Sequence, residues 1–473
     1  MTNAKILGFA LGPIASAVFS LVTLPLMAWA FSPEDLGRLN LLQVVLSFSL
    51  LLTVLGLDQA YVREYHGSTD RATLLKACFA PGFVLLLVCA LGTVAFGRDL
   101  ALWLFGVADP LLYVLTLFCV LVNYISRFLS LILRMQERGL AFSMSQVVPK
   151  VLQLVLLGAV VWLGLQRSFL TLLLITVASM LAVVLVYTWN TRTQWRPALK
   201  TRPSSALSRS LLKFGTPLVF SGLAYWGLTA TSALVLRSQS TLGELGIYSV
   251  TSNFAGVAAI FQSIFSVVWA PTVYKWVNEG ADMVRVDGIA RKALAVVCGI
   301  FALVGCFSWL TDYVLPPHYI NVKYLVVCAI TPPLLYTLSE VTCVGIGITR
   351  RTMLTVWITV AALITNVLLS LWLVPTHGAA GAVIANAVAY VVFFVGRTEA
   401  SARVWRQFPR ARLHIHVLVF IALAVATVWL GPVLPFHYAI VWLLVLPLLA
   451  LSFKAELGGM LTYAKRALAA RKR

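Results

Sequence analysis

Polar residues in this chain come in short clusters, and between them the side chains stay apolar for some twenty residues at a time. Such stretches lie at about 8–31, 39–57, 77–97, 110–133, 147–165, 168–189, 213–236, 245–270, 292–315, 324–347, 352–373, 379–396, 413–431 and 436–453. The runs are continuous rather than alternating, which excludes the strands of a barrel. A helix rises ~1.5 Å per residue, so about 20 residues cross a ~30 Å hydrocarbon layer. The pattern predicts an all-α polytopic membrane protein with about 14 transmembrane helices. Twelve or thirteen follow if one short segment is re-entrant.

Charge tests that count. Lys and Arg number 36, against 16 Asp and Glu. Thirty of the 36 fall at the amino terminus and on alternate connections and their flanks, five fall on the other connections, and Arg127 lies inside a span. A miscounted helix would scramble this alternation, and the positive-inside rule then places both termini in the cytoplasm. The basic excess is thus a topology signal and an attraction for anionic lipid, not a nucleic-acid footprint. With 60% hydrophobic and 11% charged residues, a secreted enzyme and a disordered scaffold are excluded. Ala28-Trp29-Ala30 resembles a cleavage site, but the apolar run before it is longer than a signal-peptide core, so it reads as a retained span. The cysteines lie in apolar runs with no C-x-x-C pair, and the histidines are scattered, so neither metal nor other cofactor is expected.

The halves resemble each other weakly. An offset of 209 pairs Leu36-Gly37 with Leu245-Gly246, Asn40 with Ser249 and Gln43 with Ser252. An offset of 213 pairs Ser126 with Ser339, Gln153 with Asn366, and Arg127 with Glu340. Six helices separate the repeats, so they run parallel, related by an axis along the membrane normal. The expectation is two six-helix lobes related by pseudo-two-fold symmetry around a central cavity: 1–200, then 201–400, with a further helix pair and a basic amphipathic tail in 401–473.

Arg127 and Glu340 are the charges least compatible with hydrocarbon, each about 16 residues from the outer end of its helix. A charge at the centre of a span costs about 2.5–3.5 kcal/mol on insertion scales, so such residues face a bundle interior or water. Gln43, Ser47 and Asp58 are expected on one helical face, with Ser221, Tyr225, Thr229 and Ser232 on a second and Ser249 and Asn253 on a third.

At these residues the chain resembles a known family. Leu24-Pro25-Leu26 with Ser32-Pro33-Glu34-Asp35-Leu36-Gly37 is similar to the opening of polysaccharide-biosynthesis exporters. These are the Wzx-type O-antigen and exopolysaccharide flippases of the multidrug/oligosaccharidyl-lipid/polysaccharide exporter superfamily. Leu55-Gly56-Leu57-Asp58 with Arg63-Glu64, and Val374-Pro375 with Gly378-Ala379-Ala380-Gly381-Ala382 and Tyr390, resemble it as well. The resemblance implies a transporter rather than an enzyme, in a bacterial inner membrane. Its cargo would be a polyprenyl-diphosphate-linked oligosaccharide, and its other partners membrane lipids, a polysaccharide polymerase and chain-length proteins. No nucleic acid is implied.

For such a cargo the glycan needs a hydrated path and the diphosphate a cation, and Arg binds phosphate oxygens through a planar fork. Arg127 is the first candidate, with Arg63, Arg134 and Lys150 near the cytoplasmic mouth. Gln43, Ser47, Tyr225 and Asn253 are candidates for the glycan path, and Glu340 and Asp58 for gating or ion coupling. Without a P-loop, ATP is not the energy source. A peptidoglycan-precursor flippase and a cation-coupled multidrug antiporter of the same superfamily stay open at this point. A membrane glycosyltransferase would need catalytic carboxylates in a large outer loop, and the outer connections are short.

Overall fold

The computed structural model describes residues 3–202, 204–279, 284–435, 437–459 and 462. All regular structure among them is helical: α1 (Asn3–Ala30), α2 (Pro33–Val54), α3 (Leu57–Glu64), α4 (Arg71–Thr93), α5 (Gly97–Phe105), α6 (Pro110–Met135), α7 (Gly139–Trp162), α8 (Phe169–Lys200) and α9 (Ser205–Gln239) come first. They are followed by α10 (Leu242–Asn278), α11 (Val284–Phe307), α12 (Thr311–Val314), α13 (Val322–Ala329), α14 (Thr331–Ile348), α15 (Met353–Val404), α16 (Ala411–Leu430) and α17 (His437–Ser452). All fourteen apolar stretches are helical over most of their length, although 324–347 is divided between α13 and α14 and 292–315 runs from α11 into α12. Ten described helices are long and apolar enough to cross a membrane, and the chain is a multi-pass membrane protein.

Local chemistry starts these helices where the polar clusters stand. Ser32 accepts from the Asp35 amide at 3.2 Å, with Pro33 at the first helical position and Glu34 and Asp35 in the first turn of α2. Asp70, Asp109, Ser168 and Ser204 cap α4, α6, α8 and α9 in the same way. The Thr73 hydroxyl and amide hold the Asp70 carboxyl below its usual range. At the far end of α8, Lys76 donates to the carbonyls of Leu199 (3.1 Å) and Thr201, a cation placed where the helix dipole is negative.

The 52-residue α15 is two helices. Gly378 breaks it with φ 52° and ψ −128°. A Cβ on Gly381 would stand 2.6 Å from the Leu373 backbone, and one on Gly396 would stand 2.8 Å from Ile358 Cγ2. Residues so far apart in sequence meet only if the second half folds back along the first, as the separate stretches 352–373 and 379–396 require.

By contacts the chain forms two compact units, Met1–Ser249 and Val250–Arg473. In the first, α1 packs on α7, α8 on α6, α7 and α4, and α9 on α2, α3 and α4. The basic connection at 190–213 is therefore not a contact boundary, because α9 beyond it completes the first unit. Inside lipid, helix association rests on close packing rather than on an aqueous hydrophobic effect, which favours small residues at crossings. Gly82 of α4, for example, lies where any Cβ would strike the Thr53 carbonyl of α2. Around it, Tyr61, Cys78, Tyr124 and Phe128 form a buried cluster, with the Tyr124 hydroxyl on the Phe79 carbonyl at 2.6 Å. In the second unit, α11 packs on α14, α16 and α17, and α14 packs on α15. The basic tail beyond 462 lies outside the described residues; 454–459 are helical.

The starts of α2 and α10 meet in a reciprocal contact. A side chain at Gly37 would run into the Leu242 carbonyl, and one at Gly246 into the Pro33 carbonyl, while a Gly37 Cβ would lie 3.1 Å from the Gly246 nitrogen. Asn40 Nδ2 donates to Ser249 Oγ at 3.4 Å. Leu242, Gly246 and Ser249 are Pro33, Gly37 and Asn40 displaced by the repeat offset of 209. Residue i meeting the equivalent of j, and j the equivalent of i, is the signature of a local two-fold axis. Close by, two guanidinium groups close the carboxyl end of α5: Arg38 Nε donates to Phe105 O (2.9 Å), and Arg237 donates to Leu104 O (3.0 Å) and Leu102 O (3.3 Å).

Candidate functional site

The first unit holds a charged site at a break in the chain. Leu55 (φ 55°) and Gly56 (φ 69°) are both left-handed, so α2 stops at Val54 and α3 begins at Leu57. Glycine suits this turn twice over, through its positive φ and because any Cβ would strike the Gly215 carbonyl of α9. The break turns Asp58 inward. The expectation of one face shared by Gln43, Ser47 and Asp58 fails here, because 3.6-residue periodicity does not carry across a left-handed turn.

Asp58, buried at 8% exposure, receives Arg127 from α6. Arg127 Nε donates to Asp58 Oδ2 at 3.2 Å, and its NH2 nitrogen donates to the same oxygen. The Gln59 amide donates to Oδ1 at 2.8 Å, which fixes the carboxylate from its other side. Asp58 is thus the carboxylate that Arg127 meets. The arginine side chain is one-third exposed, and no hydrogen bond from NH1 is formed to a described residue. One edge of the guanidinium is held and the other is open.

The remaining first-unit candidates spread around this pair. Gln43, Ser47 and Tyr225 are exposed, and Trp226 Nε1 donates to Ser47 Oγ at 3.1 Å, joining the polar faces of α2 and α9. Arg63 pairs with Glu64 and lies 3.8 Å over the Phe214 ring, where cation–π attraction holds it to α9. Arg134 is exposed at the end of α6, and Lys150 is half-buried on α7. None of these three touches the Arg127–Asp58 pair through a hydrogen bond.

The second unit carries a separate site. Glu340 on α14 accepts from Ser266 Oγ, and Trp269 Nε1 donates to the Glu340 carbonyl at 3.1 Å. Arg397 on α15 donates to Ser339 Oγ at 2.9 Å and sits 4.8 Å over the Phe393 ring. Glu340, Arg397, Ser266, Trp269 and Tyr274 line a cavity of about 210 Å³. Asn253 is exposed on α10. Reading the sequence missed Arg397, because it stands one residue past an apolar stretch and is tallied there with the loop charges. The ring of Phe393, four residues earlier and so on the same helical face, was the available signal.

A profile of the family described as "Polysaccharide biosynthesis protein" matches residues 4–277. The chain belongs to this family. Among solved structures it is similar to "Lipid II flippase MurJ, inward closed conformation", with TM-score 0.68 and 13% identity over 96% of this chain and 99% of that one. It is also similar to an inward-facing multidrug resistance MATE family transporter of the MOP superfamily, with TM-score 0.59 and 16% identity over 82% of this chain and 95% of that one. No curated protein sequence matches. At these identities the likeness is one of fold, and the family member has the helical architecture of MOP-type transporters. The family profile spans the break at Gly56, Asp58, Arg63 and Arg127, so the first-unit site lies wholly within it.

Proposed function

We propose that this family member is a flippase. It turns a polyprenyl-diphosphate-linked oligosaccharide from the cytoplasmic to the outer leaflet of the bacterial inner membrane, by alternating access, for cell-surface polysaccharide biosynthesis. The observation that carries this reading is the half-held guanidinium of Arg127. Asp58 orients the fork and leaves NH1 open for a phosphate oxygen, inside a chain of the polysaccharide biosynthesis family. Gln43, Ser47, Tyr225 and Asn253 serve the glycan, Arg63, Arg134 and Lys150 draw the diphosphate in, and the prenyl tail stays in lipid. Glu340 and Asp58 act in gating or ion coupling. By internal repeat rather than by contact, the lobes are 1–200 and 201–400, with 401–473 added; both termini are cytoplasmic, and polymerase and chain-length proteins receive the product.

The similarity to a lipid II flippase over nearly the whole of both chains favours a second reading, a peptidoglycan lipid-precursor flippase. A cation-coupled multidrug antiporter is less well supported. Such a protein needs an intramembrane carboxylate free of protein cations, whereas Asp58 is bonded to Arg127 and Glu340 shares its cavity with Arg397.

Deleting the protein and identifying the lipid-linked glycan that accumulates decides between them. A complete oligosaccharide repeat on polyprenyl diphosphate is the expected result. Accumulated peptidoglycan precursor would move the assignment to the second reading, and no accumulated glycolipid would end both. A single cysteine introduced in the 190–213 connection should react with an impermeant maleimide only in opened cells; labelling of intact cells would invert the topology.

A further inference from the structure

In the second unit three basic side chains converge on one end of the helix bundle. Arg291 on α11, Arg412 in the first turn of α16 and Lys454 just beyond α17 line an open cavity of about 680 Å³, together with Leu451, Ser452 and Glu456. Arg412 has structural work. It donates to Glu456 Oε1 at 3.1 Å and to the Ser452 carbonyl, and its guanidinium lies 4.5 Å over the buried Phe453 ring. It thereby ties the chain after α17 to α16 and closes the carbonyl end of α17, where a cation is favoured. Arg291 and Lys454 differ. Both are exposed, and neither is hydrogen-bonded to a carboxylate among the described residues.

The wall beside these cations is greasy. Leu444, Leu448 and Leu451 of α17 are 61%, 64% and 73% exposed, and their spacing of four and three residues makes them one stripe that ends at the cavity. On a helix of a membrane protein such a stripe faces acyl chains. Positive charge at a helix end that continues directly into a lipid-facing apolar stripe matches the two parts of one kind of molecule. We propose that this cavity binds an anionic phospholipid, with its phosphate between Arg291 and Lys454 and one acyl chain along Leu451, Leu448 and Leu444. Three cations against the single carboxylate of Glu456 leave an excess that an anionic head group answers. A zwitterionic head group brings its own ammonium and gains less. Arg412 positions the rim, and Arg291 and Lys454 contact the phosphate.

The full-length protein in detergent is titrated with short-chain phosphatidylglycerol, short-chain phosphatidylcholine and inorganic phosphate. Retention is read by native mass spectrometry and stabilisation by thermal melting. Phosphatidylglycerol should be retained preferentially, and the double variant Arg291→Gln, Lys454→Gln should weaken it about thirtyfold, on the basis of roughly 1 kcal/mol per basic residue near an anionic surface. A charge-matched control, Lys200→Gln with Arg202→Gln, should keep wild-type affinity. If the control loses as much as the cavity variant, the effect is net charge and the site is refuted. Equal retention of the two lipids refutes it as well. Inorganic phosphate stabilising the protein as strongly as phosphatidylglycerol would show a soluble-phosphate site and overturn the lipid assignment.

Discussion

Replacing Arg127 by alanine is expected to stop delivery of glycan to the cell surface. The fork of Arg127 has donors still open, and charge-assisted hydrogen bonds to phosphate contribute about 1.5–3 kcal/mol each, so losing them costs transport roughly ten- to hundredfold or more. The alanine variant also strands Asp58, buried at 8% exposure, without its cation. Breaking a buried ion pair from one side destabilises by about 3–5 kcal/mol. A loss of protein would then imitate a loss of transport. The double variant Arg127→Ala, Asp58→Asn separates the two effects, since it removes the stranded charge and should restore protein level while transport stays absent. Arg127→Lys keeps the charge but not the planar fork, and should fold yet transport poorly. Surface polysaccharide at wild-type level in the double variant would remove Arg127 from the mechanism.

The second large effect is expected at the reciprocal contact between α2 and α10. Leucine at Gly246 has no room, because even its Cβ would meet the Pro33 carbonyl. Forcing side-chain volume into a filled contact costs typically about 1–3 kcal/mol, and here the opposing group is backbone, which yields less than a side chain. Gly246→Leu should therefore lower the thermal midpoint of the purified protein, read by tryptophan fluorescence. Gly37→Leu should do the same against Leu242. Because both act on one contact, the double variant should lose less than the sum of the two. Full stability with leucine at both positions would show that the helices do not meet in this way.

The helical architecture was largely legible because hydrocarbon imposes it. A span must be apolar for about 20 residues, and all fourteen such stretches are helical over most of their length. Even the hairpin at Gly378 showed as two stretches. The charged site was legible only in part. Arg127 stood out as a charge without excuse, but the offset relates it to Glu340, and the carboxylate it meets is Asp58. Asp58 comes into reach through the left-handed pair Leu55 and Gly56, and no periodicity argument reports such a turn. Glu340 stood out in the same way, yet the cavity around it depends on Ser266 and Trp269 from a distant helix and on Arg397, whose place just past an apolar stretch disguised it as a topology charge. Periodicity tells which residues share a face; it is silent on which faces meet.

The carboxyl end of α5 bears on how cargo would leave. Arg38 and Arg237 direct their N–H groups at the carbonyls of Leu102, Leu104 and Phe105. Arg38 also binds Asp35 at 2.7 Å. In the proposed topology these two cations stand at the exit, and backbone dipoles already answer their charge. A diphosphate arriving there would find weaker electrostatic traps than at the half-open guanidinium of Arg127. The attraction would thus decline along the route, so that release is not slowed by a second tight resting place.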